Sequence, residues 1–319
     1  MPLAEKKLIQ RIRRSVRGNK SLTKGIGDDC AVLSIPPGHE LLVTTDFTIE
    51  NVHFRRAWHR PEWVGRRCLT RGLSDIAAMG GDPRAAFLSL AVAGDLPQKW
   101  VDHFLKGLLD LAAEFHVPLA GGDTAQSVNG IQADIVVLGS VPKGKAILRS
   151  GANPGDRVYV SGELGRSAAT LTELIKMKSK SAAIKYSWRL QPQPRIAVGR
   201  WLRQRGLASA MIDLSDGLST DLEHICEESR VGAELDAEAI PRALFEPSKK
   251  LLDLEFALHG GDDYELLFTS AAPIPAQIAG VRITCIGRIT RFTDMRIVGI
   301  TGKSGPLKAR GWEHFERNS

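Results

Sequence analysis

The residues of this chain best placed to do chemistry are carboxylates at glycine-marked breaks. Asp213 and Asp216 stand in the stretch Met211-Ile-Asp-Leu-Ser-Asp-Gly-Leu-Ser-Thr-Asp-Leu-Glu-His-Ile225. Its opening reads as the end of a buried strand, and Leu218, Leu222 and Ile225 recur at helical spacing after a break at Gly217. The two acids therefore fall at a strand-to-helix junction, where open α/β sheets hold their ligands and the first N–H groups of the helix face an anion. Two acids beside an anion repel it unless a cation lies between them, which points to Mg²⁺ and a phosphate ester. On these residues alone a second reading stays open: Asp213, Ser215 and Asp216 cap the helix, since Ser and Asp are preferred N-cap residues.

Further acids follow the same pattern. Gly25-Ile-Gly-Asp-Asp presents Asp28 and Asp29 ahead of an apolar strand, and Glu40 to Thr45 reads as a strand that delivers Thr44, Thr45 and Asp46 at its end, followed by His53. Hydroxyl and carboxylate oxygens clustered in this way are hard ligands of the kind Mg²⁺ takes. Asp75 interrupts the apolar stripe of a helix expected over 62–80, where an ionised acid needs a partner. Asp123 follows Gly121 and Gly122 at an expected turn, and glycine there lets the backbone approach a ligand closely. Asp262 and Asp263 follow Gly260 and Gly261 just before another strand. Acids in surface turns are common, and a lone histidine such as His53 is more often a hydrogen-bonded structural residue than a site residue. Recurring together at expected strand ends, however, these carboxylates form a coherent site for Mg²⁺ ions around a polyphosphate.

The elements that must position them alternate between helical and strand periods. Leu8, Ile9, Ile12 and Val16 mark an amphipathic helix over residues 4–17 with a basic outer face. Strands are expected over 85–92 and 133–141, and a helix over 100–115. Gly151-Ala-Asn-Pro-Gly-Asp156 is a turn-rich boundary, dividing the chain into domains 1–150 and 151–319. The second domain continues with a strand over 157–161, a helix from Ala168, a lysine-rich surface stretch from Lys176 to Lys185 and a helix over 194–207. Strands over 233–240 and 264–269 follow, with a hairpin of 282–289 and 295–300 and a tail of Arg310-Gly-Trp-Glu-His-Phe315.

Composition narrows the function classes. A chain of 319 residues with 43% apolar and 25% charged residues suits two α/β domains. No apolar run approaches a membrane span, and the first residues lack the apolar core of a signal peptide, so a soluble, cytoplasmic protein is expected, with no membrane partner. The four cysteines are far apart, suggesting neither zinc nor disulfides, and most read as small buried hydrophobes. The net charge of +7 is dispersed and aromatic residues make up only 6%, which disfavours a base-stacking surface and a nucleic-acid partner. The Walker pattern is absent, because Gly302-Lys-Ser304 is preceded by Ile297 where glycine is required, and Gly25-Ile-Gly27 misses the dinucleotide fingerprint.

In order and spacing, the set Gly25-Ile-Gly-Asp-Asp-Cys-Ala, Thr44-Thr-Asp46 with His53-Phe54, Leu73-Ser-Asp-Ile-Ala-Ala-Met-Gly80, Gly121-Gly-Asp-Thr124, Asp213-Leu-Ser-Asp-Gly-Leu218 and Gly260-Gly-Asp-Asp-Tyr-Glu-Leu266 closely resembles the thiamine-monophosphate kinase family, through to the Trp312 tail. The resemblance implies ATP-dependent phosphorylation of thiamine monophosphate to thiamine diphosphate. It also implies the fold shared with aminoimidazole ribonucleotide synthetase: two α/β domains of mixed sheets packed with helices, with N-terminal sheets pairing across a homodimer. The family places Mg²⁺ at the residues matching Asp29, Thr44, Thr45, Asp46, Asp75, Asp123, Asp213 and Asp216. Nucleotide contacts carry over to Gly122, Asp123, Arg149 and Ser215, substrate contacts to His53, Asp262 and Trp312, and the catalytic role to Asp46, Asp213 and Asp216.

Two positions depart from the family pattern. Asp262 stands where Glu is usual and Asn51 where Gly is usual, and the shorter carboxylate at 262 can shift substrate affinity by about 1–3 kcal/mol. Other ATP-using enzymes of the fold are the alternatives: aminoimidazole ribonucleotide, formylglycinamidine and selenophosphate synthetases. The Leu73–Gly80 segment and the tail favour the thiamine enzyme, and the N-terminal segment lacks the catalytic cysteine of the selenium enzyme. A basic nucleic-acid-binding module is the alternative from another class, but no basic stripe with interleaved aromatics supports it.

Overall fold

The computed structural model describes residues 3–27, 29–177, 190–245, 250–299 and 301–313. Asp28, the lysine-rich stretch from Lys178 to Lys185, Ile300, and His314 and Phe315 of the tail lie outside the described residues. The chain forms two compact units, one of Met1–Ile76 and Gly81–Lys145, the other of Ala146–Met177 and Pro192–Ser319 together with Ala77–Gly80.

In the first unit, helix α1 (Glu5–Ser15) buries Leu8 and Ile12, and short strands β1 (Leu22–Lys24) and β2 (Val32–Leu33) pair antiparallel. Then follow β3 (His39–Ile49), α2 (Pro61–Ala78), β4 (Asp82–Ala93), α3 (Gln98–Glu114), β5 (Leu119–Ser127) and β6 (Gln132–Pro142). Proline opens α2 at its first position, where the missing N–H costs nothing. The stripe of Val64, Cys68, Leu69, Leu73 and Ile76 is fully buried, as its 3.6-residue period requires. The sheet runs β3-β6-β4-β5, with β4 and β5 parallel across the α3 connection and the other neighbours antiparallel.

Two elements differ from the sequence expectation. Thr44, Thr45 and Asp46 lie in the middle of β3 rather than at its end, because Phe47, Thr48 and Ile49 continue the β-forming pattern and pair with Asp134, Ala133 and Gln132. Gly121, Gly122 and Asp123 lie within β5 rather than in a turn, paired with Phe87, Leu88 and Ser89 just past a register shift in the ladder.

The second unit contains β7 (Arg157–Ser161), α4 (Arg166–Met177), α5 (Ile196–Arg205), β8 (Ala210–Asp213), α6 (Leu218–Ser229) and β9 (Gly232–Asp236). The short pair β10 (Leu244–Phe245) and β11 (Lys250–Leu251) comes next, then α7 (Leu254–His259), β12 (Leu266–Ser270), β13 (Gln277–Ile278), β14 (Val281–Thr290), β15 (Met295–Val298) and β16 (Ser304–Pro306). Among the described residues its main sheet runs β16-β15-β9-β14-β7-β12-β8, with β13 paired to β14. Val158, Val160, Ile212 and Leu267 from the strands pack with Leu222 and Ile225 of α6 in one core.

The expected hairpin of β14 and β15 does not form. Strand β9 lies between them, antiparallel to β14 and parallel to β15, because its buried Ala233 and Leu235 supply a core strand that neither neighbour could replace. β9 also stops at Asp236, short of the expected Ile240, where the Asp236 carboxylate accepts from the Glu238 N–H at 3.0 Å and turns the chain. Cys68 and Cys226 are buried, but Cys30 and Cys285 are exposed, so only half of the cysteines serve as core residues.

Candidate active site

The first unit holds its acids on the two faces of one sheet. Alternation along β3 sends Thr44 and Asp46 to the face covered by α2, and Thr45 to the other. On the covered face Thr44 Oγ1 donates to Asp75 Oδ2, and Arg71, one turn before Asp75 on α2, meets Asp46 Oδ1 at 3.3 Å. Burial raises the Asp46 carboxyl above its usual range, while the Arg71 guanidinium and a hydrogen bond shared with Asp75 pull it back and Asp134 pushes it up again. Thr44, Asp46 and Asp75 are thus one contiguous set of oxygen atoms of the kind a hard divalent cation takes.

The opposite face carries a second group. Thr45 Oγ1 donates to Asp134 Oδ1 at 2.7 Å, and the ladder sets Phe47, Asp134, Ser89 and Asp123 in one row across all four strands. Asp123 is exposed at the β5 edge. Beside it Gly122 has φ +144°, and a Cβ there would lie 1.9 Å from Leu88 O, so only glycine lets the strand close onto β4. Asp29 is exposed in its turn. The structure therefore joins Thr44, Asp46 and Asp75 directly, and sets Thr45 and Asp123 on the reverse side of the same sheet.

In the second unit, β8 ends at Asp213 and α6 starts at Leu218, the junction expected from the sequence. The N-cap residue is Gly217, with no side-chain cap bond, so neither Asp213 nor Asp216 caps α6 from that position. The loop amides are held instead from inside the helix: Asp221 Oδ2 accepts from the N–H groups of Asp216 at 3.2 Å and Gly217 at 3.0 Å. Burial, then the charges of Asp213 and Asp216, raise the Asp221 carboxyl well above its usual range. Among the described residues, Asp216, Asp221 and His224 each bring a ligand atom within 4.8 Å of one another. Such a set of two carboxylates and an imidazole can hold a divalent cation.

The Gly260–Tyr264 segment lies against this loop. Asp262 N donates to Ser215 O at 2.8 Å and Tyr264 N to Leu214 O at 2.8 Å, while Asp262 Oδ1 accepts from the Tyr264 hydroxyl at 3.0 Å. Asp262 and Tyr264 adopt left-handed backbone, φ 65° and 51°. Asp263 is turned the other way: Oδ2 accepts from Gly165 N at 2.7 Å, ahead of α4, and burial pushes its carboxyl up to about 8. The buried Glu265 pairs with the partly exposed Arg195, whose Nε donates to Oε2 at 2.6 Å, and accepts from Ser161 Oγ at 2.5 Å. Trp312 N donates to Asp216 O at 3.0 Å while the residue stays 54% exposed. The structure thus brings Asp213, Ser215, Asp216, Asp262 and Trp312 together. Arg149 is tied elsewhere, its carbonyl accepting from Ser229 Oγ at the far end of α6.

In the first unit, His53 Nδ1 accepts from Ile49 N at 3.0 Å and closes the turn after β3. Asn51 in that turn has φ 67°, which accounts for asparagine where glycine is usual, since asparagine tolerates this conformation better than other side chains. Sequence reasoning missed Arg71, Asp134, Asp221 and His224. Of these, Asp221 and His224 carried a signal: an i, i+3 spacing that puts both on one helix face beside the Asp216 loop.

Models of the AIR synthase related protein family match the chain twice, the N-terminal domain over residues 27–141 and the C-terminal domain over residues 153–273. The thiamine-monophosphate kinase of Escherichia coli is 37% identical, with 99% of each chain covered. The solved structure of thiamine-monophosphate kinase from Stenotrophomonas maltophilia superposes with a TM-score of 0.80 at 33% identity, covering 96% of this chain and 99% of that one. A second solved structure, AaThiL complexed with AMPPCP and TMP, gives a TM-score of 0.75 at 31% identity, covering 97% and 95%.

Proposed function

The chain belongs to the thiamine-monophosphate kinase family, and from that premise we propose that its carboxylate sets serve Mg²⁺-assisted transfer of the γ-phosphoryl group of ATP to thiamine monophosphate. ATP-dependent phosphorylation of thiamine monophosphate to thiamine diphosphate is its activity. The observation that carries this is the full-length likeness to these kinases, together with a solved relative that holds an ATP analogue and TMP.

Mg²⁺ fits the donors of each unit taken by itself: in the first, Thr44, Asp46 and Asp75 offer only oxygens, and in the second Asp213, Asp216 and Asp221 offer carboxylates. Bound there, the metal would neutralise and align polyphosphate oxygens. The remaining tasks fall to the chain. Arg71 holds Asp46 in place, and Asp221 holds the Asp216 loop by its amides. The attacking group is a phosphate oxygen whose second pKa is about 6, so at neutral pH it is already ionised and needs no general base. Oxygen-rich sets that orient two polyanions suit direct in-line transfer without a phosphoenzyme.

For the remaining contacts, we assign Gly122 and Asp123 of the first unit and Ser215 of the second to the nucleotide, and His53, Asp262 and Trp312 to the substrate; Arg149, at the far end of α6 from Ser215, is left out of this set. Trp312, half-exposed yet fixed through its backbone, offers a ring face to the cationic thiamine ring system. A homodimer built on the first unit is supported by Leu41, Val43 and Phe47, exposed in a row on the open face of β3. The reading also places the enzyme in the cytoplasm, where ATP is supplied.

Thiamine diphosphate formation in Mg-ATP, repeated with excess chelator, tests the metal requirement. Product should vanish with chelator and return on adding Mg²⁺. Full turnover in chelator would overturn the role of the metal, and no thiamine diphosphate under any condition would overturn the kinase reading.

A further inference from the structure

The segment that carries Trp312 is fastened along the first turn of α6. Arg310 N lies 3.4 Å from Ser219 Oγ, Gly311 N donates to Thr220 Oγ1 at 2.9 Å, and Trp312 N donates to Asp216 O at 3.0 Å. The approach is close enough that a Cβ on Gly311 would lie 2.3 Å from Asp216 O and 2.5 Å from Thr220 Oγ1. Successive backbone bonds of this kind fix where the indole can stand, while the residue as a whole stays 54% exposed.

Side chains reinforce the attachment from α7. Arg310 Nη2 lies 2.8 Å from His259 Nε2 and 2.9 Å from Glu255 Oε2, and His259 Nδ1 lies 2.7 Å from Ser219 Oγ. A guanidinium has only donors, so His259 Nε2 must accept, its proton must sit on Nδ1, and Nδ1–H must donate to Ser219 Oγ. A neutral histidine of fixed tautomer therefore joins the tail to the first turn of α6, which follows the Asp216 loop. Burial and then the Arg310 guanidinium hold His259 below its ordinary range, partly offset by Glu255, which favours that neutral form.

The geometry points to Ser219, His259 and Arg310 as a latch that positions Trp312 beside Asp216 and so sets affinity for the thiamine ring of the substrate. This inference rests on the reading of Trp312 as the ring platform. All three are positioning residues that act through Trp312 and touch no reacting atom.

The test is steady-state kinetics of the full chain carrying His259→Ala, Arg310→Ala, Trp312→Ala and the double variant His259→Ala/Trp312→Ala. Arg310 is the safeguard against misfolding, since its side chain is 59% exposed. Each latch variant should raise KM for thiamine monophosphate about tenfold, with KM for ATP and kcat within about twofold of the parent. His259→Gln, which can keep an acceptor toward Arg310, should recover part of the loss. In the Trp312→Ala background His259→Ala should add nothing, because coupled residues are not additive. Additive effects, equal weakening for ATP, or latch variants with parental KM beside a Trp312→Ala variant with raised KM would overturn the latch alone. A parental KM in Trp312→Ala would instead reject the platform, and the latch with it.

Discussion

Oδ2 of Asp221, in the first turn of α6, accepts a hydrogen bond from the backbone N–H of Asp216 at 3.2 Å, so one acid holds the loop that presents another. The same oxygen takes the Gly217 N–H at 3.0 Å, and the residue is 1% exposed. Asp221→Ala would leave these amides without their acceptor and should cost about 1–3 kcal/mol. Asp221→Asn keeps an acceptor and removes a charge that Asp213 and Asp216 repel, so it should fold as well as the parent without metal and bind Mg²⁺ more weakly. Chemical denaturation and Mg²⁺ titration of both variants check this, and an alanine variant as stable as the parent would refute it.

Asp263 supplies a pH dependence of stability. Its carboxyl is pushed up to about 8 from an ordinary 3.8, chiefly by burial. Between those values the folded chain keeps a proton that the unfolded chain has released. The stabilisation is therefore complete below the lower value and is lost as pH rises through the upper one, with a slope of at most about 1.4 kcal/mol per pH unit. Asp263→Asn keeps an acceptor for the Gly165 N–H and removes the titration. Unfolding of the two proteins in metal-free buffer across that window should show the parent losing ground to the variant as pH rises, and a constant difference would contradict the assignment.

Local periodicity made much of this legible. The stripe of α2 and the junction between Ile212 and Leu218 follow from residue spacing alone, and the junction carries the acids named first. What escaped depends on partners distant in the chain. β3 runs on through Asp46 because β6 offers a ladder, and two glycines read as a turn until β4 pairs with them. No local pattern announces that β9 enters between β14 and β15. Asp46 meets Arg71 across 25 positions, and the role of Asp221 depends on the path of the loop it closes.

The open face of β3 yields a prediction about assembly. Val43 is 61% exposed, between Leu41 and Phe47 on the same face. A glutamate there would place a charge within an apolar contact between copies, where an unpaired buried charge is strongly disfavoured. Sedimentation should find the parent as a dimer and Val43→Glu as a folded monomer. A monomeric parent, or a variant as dimeric as the parent, would rule out this face.

Direct phosphoryl transfer to thiamine monophosphate is tested most directly by a single turnover with γ-labelled ATP, Mg²⁺ and thiamine monophosphate, following the label in protein and in products. The label should pass into the terminal phosphate of thiamine diphosphate as ATP is consumed, with none bound to protein at any time. ATP consumed without labelled thiamine diphosphate, or a labelled phosphoprotein that chases into it, for instance through His224, would contradict direct transfer.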